Sequence, residues 1–269
     1  MTDWVRVEPV FDYSPSNPAF QVLFELRSSK IGALSEVLAE LAKNGLNLTA
    51  VDAANQPGKD VAIVSLLLRP SGKSISAADI KRIIDSSPDV ISSAIELPEA
   101  GLLVEKKMFP IVLTTGQRLM FVRTELISEM LSVVRRQLGT GGDLIVYELG
   151  HAAGRNDARN IGKLMGNAAI LERARLVVQI RTALGWGKTE FLEYSASPYK
   201  TRVKVERSFE CEGVKSRSPY SQFLRGHFAG LAAEALGRDV SCLETKCVAA
   251  GDQYCEFELE ESGAKNPKP

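Results

Sequence analysis

The order of strand-like and helix-like patterns between residues 20 and 97 restricts the fold more than any other feature of the sequence. Apolar residues recur at helical spacing in two stretches, and short apolar runs typical of strands occupy four others. In chain order these are a strand at 20–26, a helix at 31–42, strands at 46–53 and 61–68, a helix at 76–84 and a strand at 90–97. The order βαββαβ predicts a ferredoxin-like split βαβ arrangement, in which two helices cover one face of a four-stranded sheet. Gly45 is expected to end the first helix in a left-handed conformation, and Ser76 to cap the second.

The second half of the chain predicts an α+β domain, because helical patterns come first and paired strands follow. A short hairpin is predicted at 109–113 and 119–122, helices at 124–138, 144–166 and 168–184, and paired strands at 189–194 and 201–209. Ser218-Pro219 has the pattern of an N-cap followed by proline at the first helical position, which predicts a helix to about residue 236. A closing hairpin is predicted at 240–248 and 254–259.

These patterns give the expected domain organisation. It consists of an irregular, proline-containing lead-in at 1–18, a first domain at 19–98, a linker at 99–107, a second domain at 108–261 and a polar, disordered tail at 262–269. The fold class predicted for the whole chain is α+β.

Composition excludes several classes of function. Lys plus Arg and Asp plus Glu both number 33, so the chain has no basic excess for nonspecific binding to nucleic acid. No apolar run approaches the ~18 residues of a membrane span, and no basic-then-apolar signal sequence opens the chain. Four cysteines in 269 residues do not form a disulfide scaffold. We therefore expect a soluble, cytoplasmic protein.

The first domain resembles an ACT domain over residues 20–97. The turn of that family, an Asp before Pro-Gly-x-Leu, aligns with 29–34: Gly32 and Leu34 match, whereas Ser29 and Ile31 stand at the Asp and Pro positions. The entry to the second strand, Gly45-Leu46-Asn47, also matches. The resemblance implies amino-acid binding or pairing of two copies, with a candidate ligand turn formed by Ser29, Ile31, Gly32, Ala33, Leu34 and Asn47. Backbone N–H groups at 32–34 could bind a carboxylate, or Gly32 could simply permit a tight turn.

The second domain resembles the 4-vinyl-reductase type, which is also the sensor of phenol-responsive transcriptional activators. The matching residues are Tyr147–Gly150 with Gly154, Gly185-Trp-Gly187, 208–212, Gly226 and Gly230, and Glu244-x2-Cys247-x7-Cys255 around Gly251-Asp252. In the phenol sensors, Glu-x2-Cys-x7-Cys belongs to a zinc site that a further cysteine completes, from the start of the preceding helix. Ser221 stands at that position here, and Cys211 is the natural substitute. The resemblance implies a structural zinc held by Cys211, Glu244, Cys247 and Cys255.

The spacing of the cysteines has its own physical meaning. Cys247 and Cys255 are symmetric about Gly251, so a loop centred there places them opposite each other, ~4.5–5.5 Å apart at Cβ. That separation suits two thiolates on one zinc, a disulfide, or two reduced core thiols. Glu244 lies three residues before Cys247 and reaches the same face only if the strand carries a bulge. Cys242 shares a face with Glu244 and is expected to be a buried small hydrophobe.

Several residues of the second domain are candidates for contact with a small apolar ligand. They are Trp186, Phe191, Tyr199, Phe223 and His227, and the alternative is that they belong to the core. His151 is as ambiguous as His227. Gly150 and Gly154, like Gly226 and Gly230, are four residues apart on a predicted helix. Each pair therefore lines one helical face, either for close packing or to leave space for a ligand.

The preferred hypothesis is a non-catalytic regulatory protein that binds a small molecule and passes its output to a partner protein. Exposed sheet edges in the first domain favour a homodimer. The alternatives are a reductase-related enzyme, or an assembly subunit, acting on or with a vinyl-tetrapyrrole type of substrate. The Gly-x-Gly-x-x-Gly fingerprint of dinucleotide binding is absent from the sequence.

Overall fold

The computed structural model describes residues 11–262 except positions 18, 28, 31, 57, 73, 74, 106, 114 and 115. The chain divides after Met120 into two compact units, whereas the sequence placed the start of the second domain at 108. The mixed α+β class is confirmed. Among the described residues, no helix combines the length and the apolar composition needed to cross a membrane.

The first unit contains the predicted βαββαβ order, with a short strand added at each end. Its elements are β1 (Phe11–Tyr13), β2 (Phe20–Arg27), α1 (Ala33–Lys43), β3 (Leu46–Asn55), β4 (Val61–Pro70), α2 (Ala77–Asp85), β5 (Val90–Glu96) and β6 (Leu102–Val104). The main sheet is antiparallel in the order β3-β4-β2-β5. Apolar side chains of β2 and β4 pack with those of α1 and α2, so the core lies on the helix-covered face.

Local signals set the ends of both helices in this unit. The Ser76 hydroxyl accepts a hydrogen bond from the N–H of Asp79, whose carboxylate accepts one from the N–H of Ser76. This reciprocal capping box confirms the predicted N-cap. Gly45, at φ +75°, follows α1 in the left-handed region, as predicted.

Two short segments of this unit differ from the sequence predictions. Phe11–Tyr13 pairs antiparallel with Leu102–Val104, where an irregular lead-in and a linker were expected. The prolines of the lead-in restrict only its flanks, so three residues remain free to form a strand. The hairpin predicted around 114–115 is reduced to one isolated bridge, Val112 to Arg118, and positions 114 and 115 themselves lie outside the described residues. The expected disordered tail is also outside them from residue 263 onward.

The second unit packs four helices with one antiparallel sheet. Its elements are α3 (Thr124–Leu138), α4 (Thr140–Met165), α5 (Ile170–Ala183), β7 (Lys188–Ala196), β8 (Tyr199–Glu206), α6 (Gln222–Leu236), β9 (Val240–Lys246) and β10 (Cys255–Glu261). The strand order is β7-β8-β10-β9. The core joins β8 and β10 to the inner face of α6, with Phe257 and Val203 at its centre.

The helix α6 begins at Gln222, so the prediction of a start at Pro219 was wrong. The fully buried carboxylate of Glu210 accepts hydrogen bonds from the N–H groups of Phe223 and Leu224, at 2.9 and 3.0 Å. A residue outside the helix therefore satisfies its first turn. The guanidinium of Arg135 pairs with the same carboxylate at 2.5 Å and links α3 to this helix start.

The glycine pairs bring α4 and α6 into direct backbone contact. A Cβ added at Gly150 or Gly154 would lie 2.0 Å from the carbonyl oxygen of Phe223 or His227. Gly226 and Gly230 face the carbonyl oxygens of Tyr147 and His151 in the same way, at 2.0 and 2.1 Å. Of the two readings that the sequence left open, close packing is the one that the structure shows at all four glycines.

Candidate ligand cavity and cysteine cluster

Four side chains converge at one end of the second unit's sheet. Cys211 lies in the turn after β8, Glu244 on β9, Cys247 directly after β9, and Cys255 at the start of β10. The register between β9 and β10 shifts between Glu256 and Phe257, which leaves one extra residue in β9. This is the bulge that the sequence required if Glu244 and Cys247 were to meet.

The cluster has the dimensions of a tetrahedral metal site. The Sγ atom of Cys211 lies 3.7 Å from that of Cys247 and 3.7 Å from that of Cys255, and all four possible ligand atoms lie within 4.8 Å of one another. Sulfurs bound to one zinc at ~2.3 Å are separated by about 3.8 Å in a tetrahedron. All four residues are buried, and the cysteines are free thiols. Three thiols and one carboxylate therefore fit a zinc ion.

Ser221 lies inside this cluster, at the position where the phenol sensors were expected to have a cysteine. Its hydroxyl donates to Glu244 Oε1 at 2.7 Å and lies 3.0 Å from Cys211 Sγ, and its N–H donates to Glu244 Oε2 at 2.8 Å. Ser221 thus orients the carboxylate, and Cys211 brings the third sulfur from the turn after β8. Sequence reasoning did not assign Ser221 a role of its own.

The cluster's environment changes the acidity of its members. Hydrogen bonds from the thiols of Cys211 and Cys255 lower the pKa of Cys247. Burial raises the pKa of Glu244 to about 7, against the hydrogen bonds from Ser221. Backbone N–H groups also point at sulfur, with Val248 N donating to Cys255 Sγ at 3.4 Å. Cys242 lies apart from the cluster and is half-buried against the core, whereas the sequence had predicted full burial.

A cavity of about 230 Å³ lies between α4, α5, α6 and the sheet. Its walls are mainly apolar, and Phe191 and Tyr199 from the predicted ligand set line it. Other lining residues, which the sequence analysis missed, include Ala158, Ile170, Ala174, Val177, Val178, Thr201, Leu231 and Leu259. The helical spacing of 170, 174, 177 and 178 was a usable signal for this wall, although the same spacing is typical of a filled core.

A second, much smaller pocket of about 10 Å³ is lined by Trp186 and His227 from the predicted set, and by Arg181 and Thr189. Phe223 lines neither space. Its ring packs against Trp186 and Phe209, with centroids 5.7 and 5.9 Å apart. The structure therefore distributes the five predicted residues over two pockets and the core.

Charged residues surround His227 although its side chain is almost completely buried. Its Nε2 lies 2.9 Å from Asp157 Oδ2, and the same carboxylate oxygen pairs with the guanidinium of Arg181. The guanidinium also lies over the ring of Trp186, 4.2 Å from its centroid. Burial, with the charge of Arg181, lowers the pKa of His227 to about 3. The imidazole is therefore neutral at physiological pH.

The ACT-like turn of the first unit has a different geometry from a simple anion cradle. Gly32 precedes α1 at φ −90°, and the N–H of Ala33 already donates to the carbonyl of Lys30 at 3.3 Å. Glu36 places its own negative charge in the first turn of α1. Ser29 is exposed in a turn, Leu34 is half-buried, Asn47 is exposed on β3, and Ile31 lies outside the described residues.

Comparison with known proteins places the second unit in a recognisable structural class. The phenol-responsive sensory domain of the transcription activator PoxR, solved with phenol, superposes with a TM-score of 0.50 at 18% sequence identity, over 54% of this chain and 77% of that one. The second unit therefore shares the fold of a sensory domain. Residues 201–261 match the family model of the vinyl-4-reductase domain. The C-terminal half of the chain thus carries a vinyl-4-reductase domain, which confirms the resemblance for this half.

Two further relatives come from Methanocaldococcus jannaschii. A crystal structure of a vinyl-4-reductase family protein is 20% identical, with a TM-score of 0.39, over 54% of this chain and 85% of that chain. An uncharacterized protein is 30% identical over 103 residues, which are 36% of this chain. The chain spans 60% of the length of this curated relative. The ACT resemblance of the first unit stays a prediction.

Proposed function

We propose that the second unit binds one small, largely apolar molecule in the 230 Å³ cavity, and that a partner protein reads its occupancy. The observation that carries this proposal is the cavity itself, which has apolar walls and lies between three helices and a sheet. An engineered protein cavity of about 150 Å³ lined by apolar side chains is enough to bind benzene. The space here accommodates a substituted aromatic ring, and phenol in the PoxR sensory domain is a ligand of this size class.

Occupancy of the cavity would act mainly on α5. This helix supplies Ile170, Ala174, Val177 and Val178 to one wall, while the sheet and α6 supply the others. A ligand that contacts both sides favours the conformation in which α5 is docked, by as much as its affinities for the docked and undocked states differ. The same wall chemistry, apolar side chains with a few hydroxyls, suits binding more than catalysis, so the protein is proposed to be non-catalytic.

The cysteine cluster is proposed to hold a structural zinc ion. The ligands would be Cys211, Glu244, Cys247 and Cys255, and the S···S separations of 3.7 Å support this assignment. Zinc bound to four protein ligands supplies cross-linking rather than Lewis-acid chemistry, because no coordination position is left for water. Here it would tie the turn after β8 to β9 and β10, next to the start of α6.

The first unit is proposed to form a homodimer in the cytoplasm, or to sense an amino acid at its ACT-like turn. Its strand β3 lies at an edge of the sheet, and of its ten residues only Leu46 is buried. A long exposed edge presents unpaired backbone N–H and C=O groups to a second strand. Pairing through such edges would join two copies of the chain.

Native mass spectrometry of the full chain tests the ligand and the zinc together. We expect one zinc ion per chain and a retained small-molecule adduct. Ala174→Phe fills the cavity from α5 and should remove the adduct but keep the zinc. Arg175→Phe adds the same ring at the exposed neighbouring position and should keep both. An adduct that survives Ala174→Phe would contradict the cavity as the binding site, and a metal-free chain would contradict the zinc.

A further inference from the structure

The small pocket beside the cavity has an unusual polar composition. It shares the lining residues Val177, Val178 and Phe228 with the large cavity, so the two spaces adjoin. Its volume of about 10 Å³ is close to the space that a single water molecule needs. An oxygen-sized group is therefore the largest that fits without movement of the walls.

One wall of this pocket presents an unsatisfied hydrogen-bond acceptor. The side chain of His227 is 1% exposed, and its Nε2 faces the carboxylate of Asp157 at 2.9 Å. Because a carboxylate accepts hydrogen bonds, Nε2 carries the proton and Nδ1 keeps its lone pair. Among the described residues, Nδ1 has no hydrogen-bond partner. A buried acceptor of this kind costs free energy until a donor reaches it.

The same pocket presents an unsatisfied donor. Arg181 pairs with Asp157 through Nη2 and lies over Trp186, and its Nε–H is buried with no partner in the described part of the chain. An arginine Nε always donates. One acceptor on His227 and one donor on Arg181 therefore line a space of the size of one oxygen atom.

We infer that this pocket binds a hydroxyl group of the cavity's ligand, whose O–H donates to His227 Nδ1 and whose oxygen accepts from Arg181 Nε–H. The inference rests on the proposed function and narrows the ligand to hydroxyl-bearing apolar molecules, such as phenols and alcohols. A carboxylate would bring its charge against the lone pair of Nδ1, and a hydrocarbon would leave both groups unpaired. A trapped water molecule has the same hydrogen-bonding chemistry, so the test must separate it from a ligand hydroxyl.

Phenol and toluene form a matched pair for this test, because they have similar shapes and differ in the hydroxyl group. Calorimetric titration of the full chain should give a dissociation constant at least about tenfold lower for phenol, as expected for one buried hydrogen-bonded group. Trp186 supplies an independent signal. The chain has two tryptophans, so Trp4→Phe leaves Trp186 as the only tryptophan emitter, and its ring lies 5.3 Å from that of His227.

Two variants each remove one half of the hydroxyl's partners. His227→Leu removes the acceptor and Arg181→Met removes the donor, and each should reduce the preference for phenol to less than about threefold. His151→Leu makes the same change at the other histidine, which lines neither pocket, and should keep the full preference. If His227→Leu does not fold, as judged by circular dichroism, Arg181→Met decides the question.

The outcomes separate this inference from the proposed function. Equal affinity of the unaltered protein for phenol and toluene would mean that the pocket holds only water, which overturns the inference and leaves the cavity as a ligand site. Binding of neither compound would contradict both. With only two histidines in the chain, nitrogen-15 NMR gives a direct check: the Nδ1 resonance of His227 should shift with phenol and stay unchanged with toluene.

Discussion

Replacing Gly150 by alanine tests the contact between α4 and α6 on which the shape of the cavity depends. The new Cβ would lie 2.0 Å from the carbonyl oxygen of Phe223 and 3.0 Å from the N–H nitrogen of His227. Ordinary contact begins at about 3.4 Å, so the two helices must separate by more than 1 Å. Both opposing atoms belong to the backbone of α6, which cannot give way as a side chain does.

The expected loss of stability follows from two opposing effects. Overpacking of a tight interface costs about 1–3 kcal/mol, and a backbone clash on this scale belongs at the upper end of that range or beyond. Alanine recovers up to about 1 kcal/mol through its higher helix propensity. We therefore expect a net loss of roughly 2 kcal/mol, or about 4–8 °C in melting temperature for a chain of this size.

Gly162→Ala is the matched control, because it lies on the same helix. Its Cβ would meet only the Nη1 atom of Arg173 at 3.7 Å. This variant should be as stable as the unaltered protein, or more stable by up to about 1 kcal/mol. Calorimetric melting of both variants measures the difference directly. If Gly150→Ala melted at the same temperature as Gly162→Ala, the close approach of α4 and α6 would be refuted.

Two further predictions concern the metal cluster and the buried histidine. Cys247→Ser should lose the zinc and melt at a lower temperature, whereas Cys242→Ser, outside the cluster, should keep it; equal zinc content in the two variants would argue against the assignment. The pKa of His227 is lowered to about 3 in the folded protein, while the unfolded chain takes up this proton near pH 6.5. Folding stability should therefore fall as the pH drops below 6.5, by up to about 1.4 kcal/mol per pH unit from this residue. His227→Leu should flatten the slope between pH 6.5 and 5, and an unchanged slope would contradict a neutral, buried imidazole.

Much of the first unit could be predicted because its signals are local. The capping box of Ser76 and the left-handed Gly45 lie within a few residues of the helix ends that they set. The start of α6 could not be predicted in this way. Glu210, twelve residues before Gln222, satisfies the first turn of that helix, and only the tertiary fold brings it there. The Ser218-Pro219 pattern was therefore a misleading local signal.

The site was predictable in proportion to how much of it lies in one hairpin. The symmetry of Cys247 and Cys255 about Gly251 fixed their proximity, and Glu244 depended on a bulge that the sequence could state only as a condition. Asp157 and Arg181 gave no signal, because charged residues on helices are usually solvated. Their burial around His227 follows from the packing of three helices, which periodicity alone does not reveal.

The central claim is that the cavity between α4, α5, α6 and the sheet holds a small apolar molecule. Calorimetric titration of the full chain with phenol, at several temperatures, tests it most directly. We predict one saturable site per chain and a negative heat-capacity change, as for burial of apolar surface. Both should disappear in Ala174→Phe and persist in Arg175→Phe. The absence of binding heat, or the same heat in the cavity-filled variant, would contradict the account.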